Sequence, residues 1–255
     1  EIRRRYALIG GSPLLAITER LAAALSERLG LPVAVAMRFW APLVPDVLAR
    51  LAAAGHERVV VLPVAPHSVP LYARVADEAR AGIPGGSSLE LLPVEPYGVD
   101  PRFVEALAAP IRDALSRHDP ATTRLLFTAH SLPQSVIAAG DRYAIELEAT
   151  AAAVSAAVGR AARLVYQSEG EGGGAWLGPR LGDALAEAAA EGARSVVVAP
   201  IGFLAEHVET LYDLDVEAAA VARDVGLAFH RVPTPGDSPA LVAALAALVE
   251  RRLSA

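Results

Sequence analysis

Short, continuous apolar runs alternate along the chain with longer stretches in which Ala and Leu recur at helical spacing. The runs Val33–Met37, Val59–Leu62, Leu89–Leu92, Leu125–Thr128, Leu164–Tyr166, Val196–Ala199 and Leu227–His230 are rich in Val and Leu. Runs of this length and composition predict strands buried on both faces. Helices are predicted over Leu14–Arg28, Val44–Ala53, Pro101–Ser116, Ile145–Val158, Arg180–Glu191, Glu206–Arg223 and Leu241–Leu253. The alternation predicts an α/β fold with parallel sheets and right-handed crossovers.

Two segments echo each other. Ala52-Ala53-Ala54-Gly55 leads into Arg58-Val59-Val60-Val61-Leu62-Pro63, and Ala188-Ala189-Ala190-Glu191-Gly192 leads into Ser195-Val196-Val197-Val198-Ala199-Pro200. In each a helix ends near a Gly, a strand follows, and a Pro closes it. With the strand count, this predicts two similar halves. The polar stretch Arg117–Thr123 is the expected boundary, giving a first half over 1–118, completed by a last helix over 238–255, and a second half over 119–237.

Composition narrows the function classes. No apolar stretch reaches the length of a membrane-spanning helix, and the first residues do not read as a signal peptide. The chain has no cysteine, which removes disulfides, thiolate metal sites and Cys-ligated clusters and favours a cytoplasmic protein. A net charge of −6 argues against a nucleic-acid partner and is compatible with attracting cations.

In open α/β sheets, chemistry gathers beyond the carboxyl ends of the strands. Polar groups stand there at Pro66-His67-Ser68, Thr128-Ala129-His130-Ser131 and Glu206-His207-Val208-Glu209. Glu209, Asp213 and Glu217 recur every fourth residue. Four residues advance about 400° and climb about 6 Å, so on an α-helix the three carboxylates line one stripe. Like charges at this spacing oppose each other, and no Lys or Arg lies between Phe203 and Ala222. The stripe reads either as a solvated acidic face or as a ladder for a hydrated divalent cation. His130 ends a strand and is of the type that ligates borderline metals, or else is a satisfied core histidine. His207, about 200° from Glu209 on a helix, reads as packing or support. Gly170-Glu171-Gly172-Gly173-Gly174-Ala175 fits a dinucleotide pattern, but Trp176-Leu177-Gly178-Pro179 intervenes before the next helix, so it reads as a loop.

Taken together, four phrases resemble the ferrochelatase family. They are Arg5-Tyr6-Ala7-Leu8-Ile9-Gly10-Gly11-Ser12-Pro13-Leu14; Thr128-Ala129-His130-Ser131-Leu132-Pro133; Tyr166-Gln167-Ser168-Glu169-Gly170 with Trp176-Leu177-Gly178-Pro179; and Phe203-Leu204-Ala205-Glu206-His207-Val208-Glu209-Thr210-Leu211-Tyr212-Asp213-Leu214-Asp215. They stand in the family's order over nearly the whole chain.

The resemblance implies two Rossmann-like halves of class II chelatase type, with a porphyrin cleft between them. It implies that His130 and Glu209 are the catalytic and metal pair, that Asp213 and Glu217 continue an acidic path, and that Arg5, Tyr6, Ser12 and Tyr72 contact porphyrin. It implies haem biosynthesis, with Fe²⁺ and a porphyrin as substrates, an accessory divalent cation on the acidic face, and no tightly bound cofactor. The variant Gln167-Ser168-Glu169-Gly170 and the absence of Cys are most similar to the bacterial branch that uses coproporphyrin III rather than protoporphyrin IX. The relatives carry a further strand, helix and loop ahead of the Arg5-Tyr6 motif; without them the first sheet is expected to keep an exposed edge. The other readings are a sirohydrochlorin-type cobalt or iron chelatase and a non-catalytic porphyrin or haem binder. Which of His130 and Glu209 acts as base does not follow from the residues.

Overall fold

The computed structural model describes residues 2–170 and 174–254. Along the chain the elements are α1 (Ile2–Leu8), α2 (Leu14–Leu29), α3 (Val44–Ala53), β1 (Arg58–Val61), α4 (Val69–Ala81), β2 (Glu90–Pro93), α5 (Pro101–Leu115), β3 (Thr123–His130), α6 (Gln134–Ala138), α7 (Tyr143–Val158), β4 (Arg163–Gln167), α8 (Leu181–Ala190), β5 (Ser195–Ala199), α9 (Val208–Leu211), α10 (Ala219–Asp224), β6 (Ala228–Arg231) and α11 (Pro239–Ser254). A π turn, Asp213–Ala218, links α9 to α10. The fold is α/β and every strand pairing is parallel.

Two compact units divide the chain. The first comprises Glu1–Ile17 and Gly98–Gly236 and holds a four-stranded sheet in the order β4-β3-β5-β6. β3, the longest strand, lies inside the sheet beside β5, and both faces of the sheet are covered. On one side Leu126, Val165, Val196 and Val198 pack with Leu181, Leu185, Leu214 and Leu227. Leu125, Phe127 and Val197 on the other strand positions are equally buried, as are Phe103, Leu107 and Ile111 of α5 and Leu147 and Val154 of α7. Each such side chain contributes about 1.5–3 kcal/mol of transfer free energy, and burial on both faces is why these strands read as continuous rather than alternating. Helix α5 starts where Asp100 caps it, accepting the Arg102 N–H at 3.0 Å, with Pro101 in the first position.

The second unit comprises Thr18–Tyr97 and Asp237–Ala255. Its β1 and β2 pair from Arg58↔Glu90 to Val61↔Pro93. The buried Tyr97 hydroxyl donates to the Pro63 carbonyl at 2.6 Å. Helix α11 packs on β1, and Arg252 Nε donates to the Pro93 carbonyl at 2.9 Å.

The structure differs from the sequence reading in several places. The boundary expected near 118 divides the chain differently from these units, because α5 packs on α7 and β5 and so belongs with the four-stranded sheet. Val33–Met37 joins no sheet and, among the described residues, forms only a single bridge, Met37↔Leu43. Helix α4 has only Val69 and Ala76 buried, too sparse an apolar stripe to read as a helix. Helix α1 buries nothing and offers no such stripe at all. Among the described residues no helix is long and apolar enough to cross a membrane. The Gly-rich pattern at 170–175 falls in part on residues 171–173, outside the described residues.

Candidate active site

His130 is the last residue of β3 and lies opposite Gln167 of β4. Its backbone carbonyl accepts the buried Tyr143 hydroxyl at 2.9 Å, which fixes the strand end. The next residue, Ser131, is held twice: its N–H donates to the Gln167 carbonyl at 2.8 Å and its hydroxyl to the Leu177 carbonyl at 2.9 Å. Behind the strand end, Gly202 is a close approach: a Cβ there would stand 2.6 Å from the Ala129 Cβ.

Glu209 comes to His130 from α9, in the segment that follows β5. Helix α9 begins at Val208, so His207 is its cap and not a helical residue. His207 Nδ1 accepts the Glu209 N–H at 3.0 Å, and its ring meets Phe203 edge-on at 5.1 Å. Burial lowers its pKa, in keeping with a neutral acceptor. The helical-wheel angle read from the sequence therefore does not apply to His207; it supports the Glu209 backbone directly. Gln167 Nε2 donates to the Glu209 carbonyl at 2.5 Å.

With its main chain held from both sides, Glu209 places Oε2 2.8 Å from His130 Nδ1. Burial works against a charged imidazole, but the hydrogen bond to Glu209, its charge and that of Asp213 outweigh it and raise the His130 pKa. Burial likewise works against the Glu209 carboxylate, but His130 outweighs it and lowers that pKa. Both shifts favour imidazolium beside carboxylate.

Asp213 and Glu217 lie on the π turn. The Glu217 N–H reaches the Tyr212 carbonyl at 3.0 Å, five residues back, so the turn is wider than the α-helix assumed from the fourfold spacing. Asp213 accepts the Ser168 hydroxyl. Ser168 sits just past β4 with φ +60°, a left-handed conformation uncommon for a side-chain-bearing residue. Burial, followed by the charges of Glu209 and Glu217, pushes the Asp213 pKa up to about 6 against the Ser168 hydrogen bond and Arg5.

Arg5 closes the outer end. Its guanidinium lies 3.5 Å from both Asp213 and Glu217 and 4.8 Å above the Tyr212 ring. The stripe without Lys or Arg in sequence is thus partly offset in space by one cation. Among the described residues no three His, Asp or Glu side chains form a set that could hold a metal ion. The arrangement is a hydrogen-bonded His–Glu pair with a half-buried Asp beyond it.

Of the remaining candidates, Tyr6 and Ser12 are exposed in the same unit, and the Ser12 hydroxyl accepts the Leu14 N–H at 3.4 Å. Tyr72 lies on the first turn of α4 in the other unit, its N–H bonded to the Ser68 carbonyl. His67, also there, is buried, and burial lowers its pKa to about 4, so it is neutral. Sequence reasoning gave no role to Tyr143, Gln167 or Ser168; the rule that sites lie beyond strand ends points to the last two.

Comparison with known proteins gives consistent matches. A family model described as Ferrochelatase matches residues 1–253. Relatives named Ferrochelatase include one from Synechococcus sp. (strain JA-3-3Ab), 38% identical over 98% of this chain and 78% of that protein. Another from Acidobacterium capsulatum is 36% identical over 99% and 83%. A Bacillus pumilus relative named Coproporphyrin III ferrochelatase is 33% identical over 99% and 86%. Among solved structures, SirB from Bacillus subtilis with Fe³⁺ is similar in fold, with TM-score 0.66 at 12% identity over 92% of this chain and 88% of that one. A multi-domain Deinococcus radiodurans protein with structural similarity to chelatases has TM-score 0.59 at 22% identity; the match covers 92% of this chain and half of that one.

Proposed function

The chain belongs to the ferrochelatase family, and from that premise we propose that its porphyrin is coproporphyrin III, that His130 and Glu209 do the chemistry, and that Asp213 and Glu217 lead the iron in. The family activity is insertion of Fe²⁺ into a porphyrin, a step of haem biosynthesis. The observation that carries the site assignment is the 2.8 Å contact between His130 Nδ1 and Glu209 Oε2.

Free-base porphyrin bears two pyrrole N–H groups, and both protons leave as Fe²⁺ enters. In the neutral form, His130 donates its Nδ1–H to Glu209, which leaves the Nε2 lone pair to take one pyrrole proton; the imidazolium passes it to solvent, which its 38% exposure allows, and the second pyrrole proton then leaves by the same route. Of the pair, His130 has the raised pKa and Glu209 the lowered one, so His130 is the better base and Glu209 the anion that stabilises the imidazolium and meets the metal. Arg5, Tyr6, Ser12 and Tyr72 are assigned to the porphyrin. A further divalent cation on the Asp213–Glu217 face, competing with Arg5, is part of the proposal. So is a cytoplasmic setting, supported by the cysteine-free composition.

Coproporphyrin III is favoured by the Gln167-Ser168-Glu169-Gly170 phrase and by the Bacillus pumilus relative. The test is anaerobic incubation with Fe²⁺ and each of coproporphyrin III, protoporphyrin IX and sirohydrochlorin, followed by visible spectroscopy. The free-base spectrum should give way to the metallated one fastest with coproporphyrin III. Faster turnover of protoporphyrin IX overturns the branch but not the activity; preference for sirohydrochlorin, or binding without turnover, overturns the catalytic reading.

The Asp213 pKa of about 6 gives a second test. A raised carboxyl pKa means that the proton competes with a cation until pH passes that value. The KM for Fe²⁺ is therefore expected to rise as pH falls through about 6. In Asp213→Asn the KM should be higher throughout and lose this step. An Fe²⁺ dependence identical to wild type in Asp213→Asn refutes the iron path and leaves a solvated acidic face.

A further inference from the structure

One guanidinium closes the ends of the segment that carries both Glu209 and Asp213. Arg231 is the last residue of β6, in register with Val198 of β5, so its backbone is fixed by the sheet. Its side chain is largely buried, with 13% of its surface exposed. Arg231 Nε and Nη2 donate to the two carboxylate oxygens of Asp215 at 2.6 and 2.9 Å. Arg231 Nη1 donates to Glu206 Oε1 at 2.8 Å, and the Thr234 N–H reaches the same oxygen at 2.9 Å.

Glu206 lies three residues before Glu209 and directly before His207, the cap that holds the Glu209 N–H. Asp215 lies two residues after Asp213, inside the π turn. Residues 206 to 215 therefore form a loop whose two ends meet on one planar fork. A π turn is rare and occurs mostly as a single turn within α-helices, often at functional sites. A bidentate Arg–carboxylate pair fixes distance and orientation together, which a Lys ammonium does not.

We propose that Arg231 is a positioning residue: by joining Glu206 to Asp215 it sets where Glu209 and Asp213 stand relative to His130. It touches neither substrate, and its charge is not what the site uses. The inference rests on the proposed roles of Glu209 and Asp213, so the test has one readout that needs them and one that does not.

The discriminating variant is Arg231→Lys, which keeps the charge and loses the fork. In the full-length protein, amide exchange followed by mass spectrometry should quicken at least about tenfold over residues 207–217, with exchange in β3 and β5 unchanged. The KM for Fe²⁺ should rise about tenfold and kcat should fall by more than the loss of folded protein, while porphyrin affinity stays within about twofold. A purely structural role predicts faster exchange throughout and loss of kcat in proportion to folded protein. Unchanged exchange over 207–217 in a folded variant overturns the clamp. Faster local exchange with an unchanged KM overturns its link to the iron side, and absence of iron insertion by wild type indicts the functional reading, not the clamp. If Arg231→Lys does not fold, Asp215→Asn, which spares the Arg231–Glu206 pair, is held to the same outcomes.

Discussion

His130→Ala is expected to reduce metal insertion by about 10²–10⁴-fold, the usual worth of a positioned general base, while porphyrin still binds. The substitution removes the imidazole bonded to the Glu209 carboxylate and leaves the supports of the strand end in place. The bond that fixes that end runs from the Tyr143 hydroxyl to the His130 backbone carbonyl, which Ala retains. The His130 side chain is 38% exposed, so its loss opens no sealed cavity, and thermal stability should fall mainly between about pH 4.3 and 6.5, where the pair is charged. Stopped-flow insertion rates and porphyrin fluorescence titration check the two halves of the expectation separately. Full activity in the variant refutes the assignment. Loss of porphyrin binding equal to the loss of rate would make His130 a binding residue instead.

How far the site was legible in the sequence depends on how local its causes are. Residues 125–129 are apolar or small without interruption, and a buried central strand follows from that alone; His130 then falls at its carboxyl end, where parallel sheets place their chemistry. Asp100-Pro101 likewise announces the start of α5. The π turn gives no such signal. The spacing of Glu209, Asp213 and Glu217 fits an α-helix, and nothing in the residue types indicates that the ladder widens at Tyr212. The electrostatics were hidden for a different reason. No Lys or Arg lies within the acidic stripe along the chain, yet Arg5 reaches Asp213 and Glu217, and Arg231 reaches Glu206 and Asp215 beside them, from distant positions. Pairing across such separations is set by tertiary packing. Val33–Met37 makes the converse point: an apolar run becomes a ladder strand only where a neighbour is in reach to pair with it.

Glu209→Gln should cost about 10²-fold or more in insertion rate, and it separates the charge of the pair from its shape. The amide oxygen of Gln can still accept the His130 Nδ1–H, so ring orientation and tautomer persist; only the negative charge goes. With that charge removed, burial dominates at His130 and its pKa falls. The sign matters. A base works when unprotonated, so activity rises with pH through its pKa, and the rising limb in Glu209→Gln should move to lower pH. The same change makes the imidazole a weaker base and removes an anionic metal ligand, so the plateau falls as the limb shifts. Loss of a partner that tunes a metal-binding histidine alone costs about 10–100-fold, and loss of direct metal contact adds to it. Stability follows the same sign. In wild type the raised His130 pKa stabilises the fold at pH below the unfolded histidine value, and this is lost as pH rises through the folded value. The lowered Glu209 pKa stabilises it above the unfolded carboxyl value, and this is lost as pH falls through the folded value. The pair therefore stabilises most between the ordinary carboxyl and histidine pKa values, about 4.3 to 6.5. Glu209→Gln should flatten the pH dependence of Tm in that window. A pH–rate profile with the limb unmoved would place the charge that tunes His130 elsewhere. A plateau as high as wild type would show that the reaction needs the hydrogen bond and not the carboxylate.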